Sequence, residues 1–123
     1  MTDWQWPNSI VVRVIDGDTF VGRVTRDLGF GGSATFEVKL RLNRINTPAA
    51  SSVKGKAATD ATKLLLASGP VDITTLRTYK YGGGDTSEWM AEVTLPDGRN
   101  LSDVLVAGGF AVPWDGEGIR PGD

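Results

Sequence analysis

Two β-rich stretches joined by a tight turn open the chain. Residues 9–15 form a β-branched run and residues 19–26 are suited to return antiparallel to it, so both predict strands. Asp16-Gly17-Asp18 stands between them. An Asp-Gly pair in this place is typical of a hairpin turn, because glycine tolerates the positive φ that a tight turn requires. The pattern therefore predicts a β-hairpin.

A third strand is predicted over residues 35–45, where apolar and polar positions alternate. The positions expected to face the core are Phe36, Val38, Leu40 and Leu42. The opposite face then carries the polar side chains Glu37, Lys39, Arg41 and Asn43. A solvated surface is the ordinary use of such a face, and for Lys39 we adopt that interpretation.

Helical spacing appears first over residues 51–68, where Ser51 or Ser52 is placed to cap the start and Gly69-Pro70 to end the helix. Apolar residues recur there at intervals of three and four positions, which predicts a helix with one buried face. The residues expected on that face are Val53, Ala57, Ala61, Leu64 and Leu65.

The second half of the chain predicts two further strands, residues 71–78 and 88–95, and a short second helix capped by Asn100 with Asp103 in the capping-box position. The element order is three strands, a helix, two strands and a helix. This order predicts one mainly β (α+β) domain over residues 1–123 and is what a five-stranded OB-type barrel needs. Periodicity alone supports a small mixed barrel without selecting that topology.

Composition narrows the chemistry that this chain can perform. Its 123 residues contain no Cys and no His, which excludes a disulfide, a thiolate nucleophile, a Cys-bound zinc ion and an imidazole base. Any chemistry must use other polar side chains or a metal held by oxygen atoms. The formal net charge of −2 argues against binding nucleic acid through bulk positive charge, although a local basic site stays open.

Several short motifs, taken in their order and spacing along most of the chain, resemble the staphylococcal nuclease (thermonuclease) family. The motifs are residues 14–19 (VIDGDT), 41–48 (RLNRINTP), Gly55-x-x-Ala58, 78–82 (TYKYG), 89–93 (WMAEV) and 95–112. Residues 27–30 and the closing Pro-Trp-Asp-Gly of 113–116 are similar to the phage and actinobacterial branch.

The resemblance implies an OB barrel with added helices and hydrolysis of phosphodiester bonds in DNA or RNA with Ca²⁺, or with Mg²⁺ or Mn²⁺ in its place. It assigns Asp18 as the main metal-binding carboxylate, Asp16 as a nearby second acid and Arg41 as a phosphate-clamping cation. Thr47 offers its backbone carbonyl to the metal. Asn46 stands where the family has a second metal-binding carboxylate, so we expect a weaker metal site.

Two departures from the family pattern concern the chemical step. Ala49 occupies the position of the general-base glutamate, and a methyl group cannot accept a proton. The second catalytic arginine belongs at Gly83, or at Glu88 if the alignment is anchored on Trp89, and neither residue is a cation. The conceivable substitutes are Glu37 on the outer face beside Arg41, and Lys80 or Arg77, and none of them is strongly favoured.

Two functional hypotheses of different class follow. The first is a metal-dependent phosphodiesterase of the endonuclease type with catalysis weakened or lost. The second is a non-catalytic OB-fold module that binds single-stranded nucleic acid or a protein partner, for example in a phage assembly. Candidate nucleic-acid contacts are Lys80, Tyr81 and Trp114, with Tyr79 as a further stacking surface, while packing is the ordinary use of Trp114.

The N-terminal residues 1–7 contain neither a basic n-region nor an apolar h-region, and no run approaches transmembrane length. We therefore expect a cytoplasmic or phage-associated protein with no membrane partner, not secreted by the general pathway.

Overall fold

A computed structural model of the chain describes residues 4–78 and 88–114. Its elements in chain order are β1 (Trp4–Asp16), β2 (Thr19–Asp27), β3 (Ser33–Leu42), β4 (Ile45–Asn46), α1 (Val53–Leu66), β5 (Val71–Thr78), β6 (Glu88–Thr94), α2 (Leu101–Ala107) and β7 (Val112–Pro113). Every predicted strand and helix is present, and β1 starts five residues earlier than predicted.

Five strands close into a barrel in the order β1-β2-β3-β6-β5. Neighbouring strands are antiparallel except β3 and β6, which run parallel. The first helix lies between the third and fourth barrel strands in sequence. The prediction of a mainly β, OB-type barrel with two helices is therefore confirmed, and the barrel topology that periodicity left open is now defined.

The barrel encloses an apolar core, and aromatic rings fill one of its ends. Trp6 is buried there, and its ring stacks on Trp4 at 5.9 Å and lies 6.1 Å from Phe36 and 6.2 Å from Trp89. Arg26 covers the outer ring of this group, with its guanidinium carbon 4.0 Å from the Trp4 centroid. Phe36 therefore faces the barrel end as its position in the alternation predicts, but it remains half-exposed.

Arg41 departs from the predicted alternation of β3. Sequence reasoning placed it on the solvent-facing side, but only 5% of its surface is exposed. The reason is that Asp18 pairs with its guanidinium and the side chain of Asn46 lies against it, so that neighbouring turns cover this part of the outer face. Lys39, two residues earlier, is half-buried.

The buried face of α1 is only partly the predicted one, since Ala61 and Leu65 pack against the core as expected but other predicted residues do not. Val53 is 86% exposed and Leu64 is 77% exposed, whereas the buried residues of the helix are Gly55, Ala58, Thr62 and Leu66. Small residues face inward because the helix lies very close to other backbone. A Cβ at Gly55 would collide with the carbonyl oxygen of Ala49. The helix is thus rotated so that its least bulky face meets the barrel.

The predicted N-caps of both helices are confirmed, whereas α1 ends at Leu66 with Ala67 as its C-cap, before the predicted Gly69. The hydroxyl of Ser52 accepts a hydrogen bond from the Gly55 amide at 2.9 Å, and the side chain of Asn100 accepts one from the Asp103 amide at 3.0 Å. The carboxylate of Asp103 contacts Arg44 at 3.3 Å. Within residues 4–78 and 88–114, neither helix is long and apolar enough to cross a membrane.

We predict that Leu66→Ala lowers the free energy of unfolding by about 2–4 kcal/mol, because Leu66 is 5% exposed and its truncation leaves a cavity. Leu64→Ala is the matched control on the same helix and should change stability by less than about 0.5 kcal/mol. Urea unfolding of the two variants measures both values. Equal losses would contradict the rotation of α1 described above.

Candidate functional site

Three segments meet at the end of the barrel away from the aromatic rings. The first is the turn Asp16–Thr19 between β1 and β2, whose two end residues pair with each other. The second is the C-terminal end of β3, where Arg41 lies opposite Thr19 in register. The third follows β4 at residues 46–47. Residues separated by up to 31 positions in the chain therefore come into one cluster.

Asp18 is the centre of this cluster and is 2% exposed. Its Oδ1 accepts a hydrogen bond from the Thr19 hydroxyl at 3.0 Å. Its Oδ2 accepts one from the Thr47 amide at 3.0 Å and lies 3.1 Å from the guanidinium of Arg41. A buried carboxylate needs such donors, since its charge is otherwise strongly disfavoured away from water.

The guanidinium of Arg41 has several partners inside the protein. One nitrogen donates to the carbonyl of Leu42 at 3.1 Å, and the other donates to the Asn46 amide oxygen at the longer distance of 3.5 Å. The ring of Trp114 lies beside it, 5.9 Å from the guanidinium carbon to the centroid. Trp114 directly follows β7, which pairs with β4, and its amide donates to the carbonyl of Arg44 at 2.8 Å.

Asp16 and Asp18 differ sharply in acidity. Burial, a hydrogen bond to Asp18 and the negative charge of Asp18 raise the pKa of Asp16 to about 7. Burial alone would also raise the pKa of Asp18. It is instead held below its usual range by hydrogen bonds from Asp16, Thr47 and Thr19 and by the charge of Arg41. Below about pH 7 the pair therefore carries close to one negative charge, which resides on Asp18.

Helix α1 supports the turn from behind. The hydroxyl of Thr62 donates to the carbonyl oxygen of Gly17 at 2.7 Å. Gly17 has no room for a side chain, since a Cβ would lie 2.8 Å from the Cβ of Ala58 and 2.9 Å from Cγ2 of Thr47. Sequence reasoning identified Ala58 only within a motif and missed Thr62. The one signal for Thr62 is its spacing from Ala58 on a helix.

The predicted site residues separate into two groups. Together in the cluster lie Asp16, Asp18, Arg41, Asn46 and Thr47, with Trp114 at its edge.

Ala49 is exposed just beyond the cluster, and its carbonyl accepts from the Ser52 hydroxyl at 2.7 Å. Of the hypothetical replacements, Glu37 lies elsewhere and pairs with Arg23 at 3.2 Å. Glu88 lies opposite Lys39 rather than Arg41. Tyr79, Lys80, Tyr81 and Gly83, and the side chain of Arg77, lie outside the described part of the chain.

Whether a metal ion can bind in the cluster depends on the oxygen atoms that the cluster offers as ligands. Residues 4–78 and 88–114 contain no group of three or more Asp, Glu, His or Cys side chains arranged to hold a metal. Two carboxylates, Asp16 and Asp18, lie in the turn, and Arg41 links Asp18 to the amide oxygen of Asn46. Burial is the main cause of the raised pKa of Asp16, and the hydrogen bond to Asp18 and the charge of Asp18 add to it. Carboxylate and amide oxygens are the ligands that hard divalent cations prefer, so the residue types present fit such an ion.

No protein-family model matches the chain, and no curated protein matches it. The motifs of the sequence and the geometry of this cluster therefore carry the functional argument by themselves.

We predict that Asp16→Asn makes the cation-free protein more stable above pH 7. The pKa of Asp16 in the folded protein, about 7, exceeds the ordinary value of 3.8, because folding disfavours the ionised form of this carboxyl group. The free energy of unfolding of the native protein should therefore fall as pH rises from about 4 to 7. Because Asp16 is only partly buried, we expect a gain of about 1–2 kcal/mol at pH 8 and little gain at pH 4.

Urea unfolding in a chelator at several pH values measures this difference. Asp27→Asn is the matched control, because Asp27 also accepts from the amide two residues ahead, at 2.8 Å, but on an exposed loop. Parallel stability curves for native protein and Asp16→Asn between pH 4 and pH 8 would contradict the prediction.

Proposed function

We propose that the chain is a staphylococcal-nuclease-like protein that acts on nucleic-acid phosphodiesters with a divalent cation, with catalysis weakened or lost. The observation that carries this proposal is the contact among Asp18, Arg41 and Thr47, with Oδ2 of Asp18 at 3.1 Å from the guanidinium and 3.0 Å from the Thr47 amide. Two of the motifs behind the family resemblance, residues 14–19 and 41–48, thus contribute to one site, as the proposed function requires.

The oxygens of Asp16, Asp18 and Asn46, with the backbone carbonyl of Thr47, are the donors that would hold Ca²⁺, Mg²⁺ or Mn²⁺. A divalent ion bound there would withdraw charge from a phosphate oxygen. The site has two carboxylates, and Arg41 already balances the charge of one of them, Asp18. We therefore expect cation affinity lower than that of a site with three ionised carboxylates.

Arg41 is the group that would bind the phosphodiester. Its guanidinium is held at the cluster by Asp18 and Leu42, so the side chain is positioned in advance. The same contacts set a limit, because a phosphate must compete with Asp18 for the donors of Arg41. Pre-positioned positive charge stabilises the charge that builds up at phosphorus in the transition state, but less effectively when a carboxylate neutralises it.

Ala49 removes the general base from the proposed reaction. A positioned base typically accelerates such reactions by about 10²–10⁴-fold, and an exposed methyl group provides none of that acceleration. An arginine on a transferring phosphoryl group contributes about 10³–10⁵-fold. Glu88, one candidate for its position, carries the opposite charge. These two changes are the reason for proposing weak or absent turnover.

The same observations favour a second candidate, a non-catalytic OB-fold module that binds single-stranded nucleic acid. Burial of Arg41 against Asp18 leaves a neutral pair, and Trp114 beside it offers an aromatic ring for stacking a base. Cleavage and binding assays on the same protein separate this candidate from the enzyme. A protein partner, in a phage assembly for example, is the outcome left if nucleic acid does not bind.

The test is cleavage of single-stranded DNA and RNA by the purified chain with Ca²⁺, Mg²⁺ or Mn²⁺, beside the variant Ala49→Glu. We expect Ala49→Glu to raise cation-dependent cleavage by at least about 10²-fold, because it restores a proton acceptor at the family position. Ala50→Glu is the matched control, since it adds the same charge at the next exposed residue.

Addition of Asp18→Asn to the Ala49→Glu variant should abolish the restored cleavage, and so should a chelator. The proposal is wrong if neither the native chain nor the double variant Ala49→Glu/Glu88→Arg cleaves or binds these substrates in any of the three cations.

A further inference from the structure

Two threonines of α1 use their hydroxyl groups differently. Thr59 donates to the carbonyl of Gly55 at 2.9 Å, one helical turn back, which is the ordinary choice for a threonine inside a helix. Thr62 is completely buried and instead donates to the carbonyl of Gly17 at 2.7 Å, 45 residues away in the chain. The contact of Thr62 therefore links the helix to the turn of the candidate site.

The carbonyl that Thr62 binds belongs to the peptide unit joining Gly17 to Asp18. The amide of that same unit donates to Oδ1 of Asp16 at 3.2 Å. A peptide unit is planar and rigid, so hydrogen bonds at its two ends fix its rotation. The side chain of Asp18 starts from the Cα attached to this plane, and its direction depends on that rotation.

Close packing removes the alternative positions of the turn. Ala58 and Thr47 leave no space around Gly17, so the turn cannot slide along the helix. Ala58 and Thr62 are one helical turn apart and lie on the same buried face of α1. The helix thus restricts the turn through a steric contact and through one directed hydrogen bond.

We infer that Thr62 is a positioning residue for the Asp16–Asp18 pair, holding the Gly17–Asp18 peptide so that the carboxylate of Asp18 meets its partners and a divalent cation. The cation part of this inference rests on the proposed function. The geometric part, the orientation of Asp18 toward the Thr47 amide, does not depend on any bound ion.

The test compares variants that differ in one hydroxyl group. Thr62→Val keeps the shape of the side chain and removes the hydroxyl group. If the valine variant fails to fold, Thr62→Ser and Thr62→Ala are compared instead, because serine keeps the hydroxyl group and alanine lacks it. Ser102→Ala is the matched control, because the buried Ser102 also donates to a distant backbone carbonyl, that of Asn43 at 3.1 Å.

Two measurements are made on each folded variant: calorimetric titration with Ca²⁺ alone, and the amide NMR signal of Thr47, which reports its hydrogen bond to Asp18 without any cation. We expect Thr62→Val to weaken Ca²⁺ binding by about 10–100-fold and to shift the Thr47 signal. Thr62→Ser should stay close to native, and Ser102→Ala should leave both measurements unchanged.

The inference is overturned if Thr62→Val, or the serine–alanine pair, leaves the Thr47 signal as unaffected as Ser102→Ala does. If the native chain binds no Ca²⁺, the proposed cation site is wrong. In that case a shifted Thr47 signal in the hydroxyl-free variants still supports the positioning role, and an unshifted one overturns it. The experiment can therefore contradict the cation site and the positioning role of Thr62 independently of each other.

Discussion

The buried ion pair between Asp18 and Arg41 is the interaction on which the candidate site depends. Both side chains are almost completely withdrawn from water, and their charged atoms lie 3.1 Å apart. Removing two charges from water is expensive, so such a pair persists only when further donors and acceptors complete it. Thr19, Thr47 and the carbonyl of Leu42 do so here. The geometry of the turn and of the segment after β4 follows from this requirement.

The same pair gives the site its functional limits. A carboxylate already neutralised by an arginine attracts a divalent cation less strongly, and an arginine already bound to a carboxylate attracts a phosphate less strongly. Asn46 beside Arg41 is an uncharged amide and adds no negative charge to the site. The protein thus has a positioned acid and a positioned cation while their mutual attraction satisfies both. A weakened enzyme or a binding module is consistent with that balance.

Local patterns were sufficient to predict the elements, because each rests on neighbouring residues. The burial of Leu40 and Leu42 and the caps at Ser52 and Asn100 appear in the structure. The turn at Gly17 is also present, although Gly17 does not adopt the positive φ expected of it. The predicted hydrophobic face of α1 was right for Ala61 and Leu65 and wrong for Leu64, because helical periodicity alone favours bulky residues. The close contact between Ala58 and Gly17 requires a small residue instead.

The candidate site could be predicted in part for the same reason. The motifs named Asp18 and Arg41 as members of one site, and the two residues do meet. Their burial could not be read from β3, since alternation assigns a polar residue to solvent unless another segment covers it. Thr62 has no local signal beyond its spacing from Ala58 on the helix, because its partner is the carbonyl of Gly17, 45 residues away.

A double-mutant cycle between Asp18→Asn and Arg41→Met in cation-free protein, measured by urea unfolding, tests directly whether the two buried charges depend on each other. Each single change leaves one buried charge without its partner and should lower the free energy of unfolding by about 3–5 kcal/mol. The double variant should lose much less than the sum, which corresponds to a coupling energy of about 2–4 kcal/mol. A coupling energy near zero would contradict the account, because Asp18 and Arg41 would then not depend on each other.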